Sequence, residues 1–439
     1  MTSKLPHPSD AFVWVWLPEA IDPIVAGRLV RIEDEIQFVY GRGYRERKDA
    51  IPLYLPELPL TAGAIRPPAG LTLASAIRDA APDAWGRRVI LNRTFGIKGD
   101  ELDGIELDEL VFLLESGSDR VGALDFQRSP DRYAARGTAQ ANLEELLASA
   151  DRVERNLPLN PELDQALYHG SSIGGARPKA LLTDDGECCK YVAKFSSSND
   201  TYSVVKGEYI AMRLAALAGL NVAPVKLRHV SGKDVLLVER FDRVARGEGW
   251  SRRNMVSALT MLELDEMQAR YASYQDLAEI IRMRFAVPKE TLRELFSRLV
   301  FNILVGNLDD HARNHAAFWD GAALSLTPAY DICPQPRAGG EATQAMLIYD
   351  QVRTSQVSAC LAAAGQFHLS EDQAIAIAEH QVRTIGEHWR PLVEEAALGQ
   401  VDRALFWGRQ FLNAFAFYGL AGRAESLADL AGEMRATRN

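Results

Sequence analysis

A chain of 439 residues, 47% hydrophobic and 25% charged, buries a sizeable core and divides into about two or three domains. Its formal net charge of -10 excludes broad, non-specific nucleic-acid binding, which depends on dense Lys/Arg surfaces, although a local basic patch remains compatible with it. Cys188, Cys189, Cys333 and Cys360 show neither C-x-x-C spacing nor a disulfide framework, the amino terminus lacks an apolar signal core, and no run approaches the ~18 apolar residues of a membrane span, so the chain reads as cytoplasmic with no membrane association.

Taken in chain order, residues 12–60 have strand character in Phe12–Leu17 and again in Ile36–Tyr40. Residues 71–116 read as helical, with Pro82–Arg88 at a turn or helix start and an apolar Leu110–Leu114 segment, after which Asp119–Leu124 returns to strand character. The polar stretch Gln127–Gln140, with Pro130 and Gly137, is the expected linker. A β-rich lobe follows over 171–245: a strand at Ala180–Thr183, a turn at Asp184–Gly186, a strand at Lys190–Phe195, a helix over 205–219 closed by Gly219, and a strand at Val235–Phe241. Beyond Asn254 helices dominate. The clearest has Pro288 in its first turn and apolar Leu292, Leu295, Phe296, Leu299, Val300, Ile303 and Leu304 along one face. Ser370 with Gln373 spells a capping box, and 401–419 predicts a further apolar helix.

That buried helix leads into Asn307-Leu308-Asp309-Asp310-His311-Ala312-Arg313-Asn314. Asp309 and Asn314 stand five positions apart, and Asp331 follows a hairpin of His315–Trp319, an Asp320-Gly321 turn and Ala322–Thr327. A kinase arranges its chemistry in this order: an Asp that accepts the substrate hydroxyl proton, an Asn that holds magnesium, and a second magnesium-binding Asp after a hairpin. Asp310 beside Asp309 leaves the base assignment ambiguous, and only Asp309 provides the five-residue step to Asn314.

Upstream stand candidates for the remaining kinase parts. Ser171–Lys179 is small, flexible and basic, so its backbone N–H groups suit phosphate oxygens while Arg177 or Lys179 neutralises charge, yet it matches neither the P-loop nor the G-x-G-x-x-G pattern and by itself reads as a turn. Lys194 lies in an apolar strand, where an ammonium calls for an anion such as a phosphate or Glu208; the plainer reading is a lysine on an exposed strand face. Val235–Arg243 sits where a hinge would join two lobes, with backbone groups for an adenine edge and Phe241 against its ring; the plainer reading makes Glu239, Arg240, Asp242 and Arg243 a solvated strand end. His311 and His315 are four apart, but no helix-borne Glu accompanies them, and the nearby oxygen ligands suit magnesium better than zinc. No Gly-x-Ser-x-Gly elbow is present. Cradle, Lys, Glu, hinge and Asp-Asn-Asp follow one another in kinase order, and that joint order is the evidence.

The same residues resemble a known family, the HipA-type serine/threonine kinase toxins of bacterial type II toxin-antitoxin modules, over nearly the whole chain. Ser172–Lys179 resembles its phosphate loop, Val238–Arg243 its hinge, Gly306–Asn314 with Leu326–Ile332 its catalytic and metal segments, and Pro82–Arg88 with Asp119–Leu124 its amino-terminal subdomain. The resemblance implies an α+β, two-lobed protein-kinase-like fold, with a β-rich amino-terminal subdomain over 1–130, a linker and helix over 131–170, an ATP-binding part over 171–250 and a helical lobe over 251–439. It implies Asp309 as catalytic base, Asn314 and Asp331 as magnesium ligands, and Lys194 on the ATP phosphates. Further nucleotide contacts are implied at Gly174, Gly175, Ala176, Arg177, Lys179, Glu239, Phe241, His311 and Tyr330. Autophosphorylation at Ser172, with Ser171 as an equally modifiable neighbour, would place about -1.5 to -2 charges beside the ATP site. The expected partners are a HipB-like helix-turn-helix antitoxin, DNA mainly through it, and an aminoacyl-tRNA synthetase as substrate. Two other readings use the same residues: a phosphotransferase for small molecules or lipids, and a catalytically silent subunit of a DNA-bound repressor complex.

Overall fold

The computed structural model describes residues 8–95, 108–137, 142–154, 177–184, 186, 188–197, 200–337 and 339–436. The chain divides into two units, one comprising 1–199, 228–256 and 318–322, the other 200–227, 257–317 and 323–439.

In the first unit, alternating buried residues build an antiparallel sheet of β1 (Asp10–Val15), β2 (Ile24–Ile32), β3 (Glu35–Tyr40), β4 (Ala64–Ile65) and β5 (Leu124–Gln127), in the order β4-β3-β2-β1-β5. The inner strand β2 was not legible as a strand because Gly27, Arg28 and Arg31 interrupt its apolar pattern. Helices α1 (Ala84–Phe95) and α2 (Glu109–Glu115) follow the sheet's first four strands, and the Asp108 carboxylate caps α2 by accepting from Leu110 N at 2.9 Å. The expected strand at Asp119–Leu124 is a turn instead: Gly122 has φ +77°, and β5 starts only at Leu124.

After α3 (Leu143–Glu154), a second sheet takes the order β6-β7-β9-β8, from β6 (Lys179–Asp184), β7 (Cys189–Phe195), β8 (Val225–Val230) and β9 (Lys233–Glu239). Ala180, Tyr191, Ala193, Phe195, Val235 and Leu237 form its core face and pack with Trp85 and Val89 of α1 and with Leu146, Leu147 and Ala150 of α3. The hairpin β10 (Arg243–Arg246) and β11 (Gly249–Arg252) follows.

In the second unit, α4 (Val204–Leu217), α5 (Tyr274–Arg284), α6 (Pro288–Val305), α7 (Glu371–Glu395), α8 (Gln400–Phe406) and α9 (Ser426–Ala436) provide most of the packing. Pro288 begins α6, where its missing N–H costs nothing, and Ser370 with Gln373 closes a complete capping box on α7. The single helix expected over 401–419 is not formed: α8 stops at Phe406, and Gly408 and Leu412 both take positive φ as the chain turns back to bury Phe411 and Leu412. Among the described residues no helix is long and apolar enough to cross a membrane.

Candidate active site

Helix α6 ends in a way that fixes the next loop. Gly306 takes φ +71°, and Asn307 N then donates back to Asn302 O at 2.8 Å. A Cβ on Gly306 would lie 2.9 Å from Gln410 O, so both the turn and the close approach require glycine here. The loop is then pinned from outside: Gln335 N donates to Gly306 O (2.9 Å), Gln344 Nε2 to Asn307 O (3.1 Å) and Ala345 N to Leu308 O (3.0 Å).

Within this loop the two adjacent aspartates have opposite surroundings. Asp310 is buried, accepts a hydrogen bond from Tyr274 Oη of α5, and lies 2.9 Å from His315 Nε2. Burial pushes its carboxyl up, but His315 and Tyr274 outweigh that, and it is held below the ordinary carboxylate range. Asp309 is exposed. Partial desolvation raises its pKa, His311 works against this, and Asp331 and Asp310 add to it through like-charge repulsion. Asp310 is thus an anchor of the loop, and Asp309 is the exposed carboxylate of the pair.

Asn314 is buried and donates Nδ2 to Asp309 O at 3.1 Å, which leaves Oδ1 as the acceptor atom of its amide. The hairpin of β12 (Ala316–Trp319) and β13 (Leu324–Leu326), closed by Thr327 N on Ala316 O at 3.0 Å, carries the chain on to Asp331. Tyr330 Oη donates to Arg313 O at 2.7 Å, tying the two ends of the hairpin together. Asp331 has φ +59°, a conformation that non-glycine residues hold only where their surroundings impose it. His311 keeps Nδ1 buried with no hydrogen-bond partner among the described residues. The loop therefore brings Asp309, His311, Asn314, Tyr330 and Asp331 together.

The remaining predicted residues belong to the first unit. β6 and β7 pair with Lys179 directly opposite Lys194, and β9 sets Leu236 beside Lys194 and Val238 beside Val192. One sheet face thus presents two lysines among Leu181, Val192, Leu236 and Val238, while the other face is the core. Lys179 is buried and Lys194 half-buried, so the reading of Lys194 as an exposed surface lysine does not hold. The reading of the hinge as a solvated strand end also fails for Arg240, Asp242 and Arg243, all buried, while Glu239 and Phe241 are half-buried. Phe241 packs edge-on against Phe318 with centroids 5.9 Å apart. Arg177 is half-buried; Ser171, Ser172, Gly174, Gly175 and Ala176 lie outside the described residues. Glu208, the expected partner of Lys194, is buried on α4 in the second unit.

Tyr274 escaped the sequence reading altogether, and His315 entered it only as the start of the hairpin and as half of a histidine pair set aside as a zinc site. The one local signal for the anchor was the Asp310–His315 spacing, since Tyr274 lies 36 positions upstream of Asp310.

Two family models match the chain: the HipA-like C-terminal domain over residues 171–389 and the HipA N-terminal domain over 15–127. The chain is 29% identical over 194 residues to the protein Y4mE of Sinorhizobium fredii, covering 41% of this chain and 46% of that one. To the serine/threonine-protein kinase toxin HipA of Shewanella oneidensis it is 26% identical over 183 residues, covering 37% and 42%. The match thus spans about half the length of these curated relatives. Its fold is that of the HipA–HipB–operator DNA complex structure from Shewanella oneidensis, with a TM-score of 0.68, 19% identity and coverage of 97% of this chain and 99% of that chain.

Proposed function

The chain belongs to the HipA family, and on that premise we propose that it is a magnesium- and ATP-dependent serine/threonine protein kinase, the toxin of a type II toxin-antitoxin module. The observation that carries this reading is the division of roles between Asp310, sequestered by Tyr274 and His315, and Asp309, exposed and tied to Asn314.

In this reading the substrate hydroxyl oxygen forms a bond to the γ-phosphorus of ATP, ADP leaves, and Asp309 receives the proton. A raised pKa makes Asp309 the better acceptor. The donor set fits a hard divalent cation: Asn314 offers an amide oxygen, and the mutual repulsion of Asp309 and Asp331 is relieved by positive charge. Asn314 and Asp331 would hold magnesium, which when bound neutralises phosphate charge. By the family's pattern, Lys179 and Lys194, with Arg177 and Gly174–Ala176, would take the phosphates, Glu239 and Phe241 would contact the base, and His311 and Tyr330 would be further nucleotide contacts; Val192, Leu236 and Val238 share the sheet face of the two lysines.

The rest of the proposal follows the family: a HipB-like helix-turn-helix antitoxin as partner, DNA reached through it, an aminoacyl-tRNA synthetase as substrate, self-inhibition by phosphate on Ser172, and a cytoplasmic location. Radiolabelled ATP supplied with cell lysate tests the activity. Label on protein Ser or Thr with wild type and none with Asp309→Asn supports the kinase; label confined to metabolites indicates a small-molecule phosphotransferase; growth arrest unchanged by Asp309→Asn points to a binding subunit.

A further inference from the structure

The hinge of the ATP-binding part is held by the turn at 119–122, which lies in the segment matched by the amino-terminal family domain. Arg240 stands between Glu239 and Phe241 and uses all five of its N–H donors. Nε reaches Asp242 Oδ1 at 2.9 Å, Nη2 reaches Asp242 Oδ2 at 2.8 Å and Arg120 O at 2.6 Å, and Nη1 reaches Asp119 Oδ1 at 3.0 Å and Asp119 O at 3.3 Å. Its backbone is fixed as well, with Arg240 N on Lys190 O at 2.7 Å.

Arg243, on the other side of Phe241, repeats the pattern: Nε donates to Asp119 Oδ1 at 3.0 Å, Nη1 to Gly122 O at 2.9 Å and to Asp242 Oδ2 at 2.9 Å, and Nη2 to Arg120 O. Gly122 N closes the circuit on Asp242 Oδ2 at 2.8 Å, and Lys190 Nζ pairs with Asp119 Oδ2 at 2.8 Å. Asp119 thus receives two guanidinium groups and one ammonium. Burial pushes its carboxyl up, yet Arg240, Arg243 and Lys190 together hold it well below the ordinary range.

The groups immobilised in this way, 240, 242 and 243, flank Phe241, and a side chain with all five donors engaged cannot turn without breaking them together. Reacting and binding groups are precise when a second set of contacts locks them. We propose that Asp119 is a positioning residue for the nucleotide: the amino-terminal family domain, through this ionic clamp, sets the backbone geometry of the hinge that receives the adenine. The proposal rests on the kinase reading and deepens it.

The test measures the dissociation constant for magnesium-ADP by calorimetry, and KM and kcat for ATP, on full-length wild type, Asp119→Asn, Asp119→Glu and Lys190→Met. Leu29→Ala serves as a comparator, because it opens a cavity in the five-stranded sheet at a buried residue that is not itself a member of the clamp. Asp119→Asn is expected to weaken nucleotide binding and raise KM by roughly tenfold with kcat changed less. Asp119→Glu recovers part of the loss, and Lys190→Met, which leaves both arginines on Asp119, gives a smaller change in the same direction and stands in if Asp119→Asn does not fold. Loss of affinity no greater than that of Leu29→Ala at matched melting temperature overturns the clamp alone. A folded wild type that binds no nucleotide overturns the clamp and the kinase reading together.

Discussion

Asn314 donates its side-chain amide to the backbone carbonyl of Asp309 at 3.1 Å, so the two residues that sequence spacing pairs are joined directly. Their neighbour Asp310 belongs to a different network, and the two aspartates therefore separate activity from stability. Asp309→Asn is expected to abolish phosphoryl transfer while the protein stays folded. Asp310→Asn removes the charge facing His315 in a buried site and is expected to cost about 3 kcal/mol. Urea unfolding read beside labelled-phosphate incorporation distinguishes them. Loss of stability in Asp309→Asn with Asp310→Asn unaffected would reverse the assignment.

The raised pKa of Asp309 has a sign that can be measured. A carboxylic acid with a higher pKa in the fold than in the unfolded chain holds its proton more tightly when folded, so stability declines as pH rises from the unfolded value near 4 through the folded one. Asp309→Asn, which carries no charge at any pH, is expected to melt above wild type at pH 7 and level with it below pH 4. The carboxyl-carbon resonance of Asp309 should titrate above the ordinary aspartate range and move down in Asp331→Asn, because Asp331 is one of its repelling neighbours. A resonance unmoved by Asp331→Asn removes the electrostatic coupling between the two.

Gly306 meets two demands at once, φ +71° and the 2.9 Å approach to Gln410 O. Gly306→Ala is expected to cost about 2 kcal/mol, more than the ~1 kcal/mol of left-handed strain, because backbone has to move. Because this residue starts the loop that carries Asp309, activity should fall further than the folded fraction does. Activity that merely tracks the folded fraction would show that the loop tolerates a displaced α6 terminus.

The parts of this architecture legible in sequence are those with local chemistry. Pro288 and the glycine at 306 bound α6, Ser370 with Gln373 starts α7, and Asp320-Gly321 turns the hairpin before Asp331. Asp309, Asn314 and Asp331 were readable for the same reason, since their spacing is set along one short stretch of chain. What escaped depends on distant partners. Lys179 faces Lys194 only once β6 pairs with β7, Asp310 is assigned by Tyr274 of α5, and 119–122 alternates like a strand but is bent by cations 120 residues away. In 401–419 the apolar pattern reports burial correctly, while the positive φ of Gly408 and Leu412 breaks the helix that the pattern implies.

The clamp predicts an acid limit to stability. In Asp242 burial raises the carboxyl, but Arg240 and Arg243 overcome it and bring its pKa to about 2, and Asp119 is also held well below its ordinary value. Depressed carboxylates give stability that is present above the unfolded pKa near 4 and is lost as pH falls through the folded values. Unfolding should therefore steepen between about pH 4 and pH 2, with Asp242 alone contributing on the order of 2 kcal/mol. Circular dichroism across that window should show the steep limb in wild type and a shallower one in Asp242→Asn, which begins from lower stability at pH 7. Parallel curves for the two proteins would exclude Asp242 as a source of the acid sensitivity.

Arg337, six positions beyond Asp331, shows the opposite of the clamp. Its Nε, Nη1 and Nη2 are all out of water with no hydrogen-bond partner among the described residues, and burial lowers its pKa. A guanidinium stays charged at any accessible pH, so its burial carries a desolvation cost that no described residue offsets by a hydrogen bond, about 1–3 kcal/mol on the scale of buried polar groups. Arg337→Met keeps the apolar stem and removes the charge, and it is expected to raise the melting temperature by about 2–4 °C for each kcal/mol relieved in units of this size. Because the segment is pinned through Gln335 N on Gly306 O, the change should stabilise the neighbourhood of the Gly306–Asn314 loop without displacing it, and hydrogen exchange there should slow. An unchanged or lower melting temperature would mean that Arg337 meets an anion in solution that offsets its burial, and phosphate titrated into wild type and Arg337→Met would then identify it.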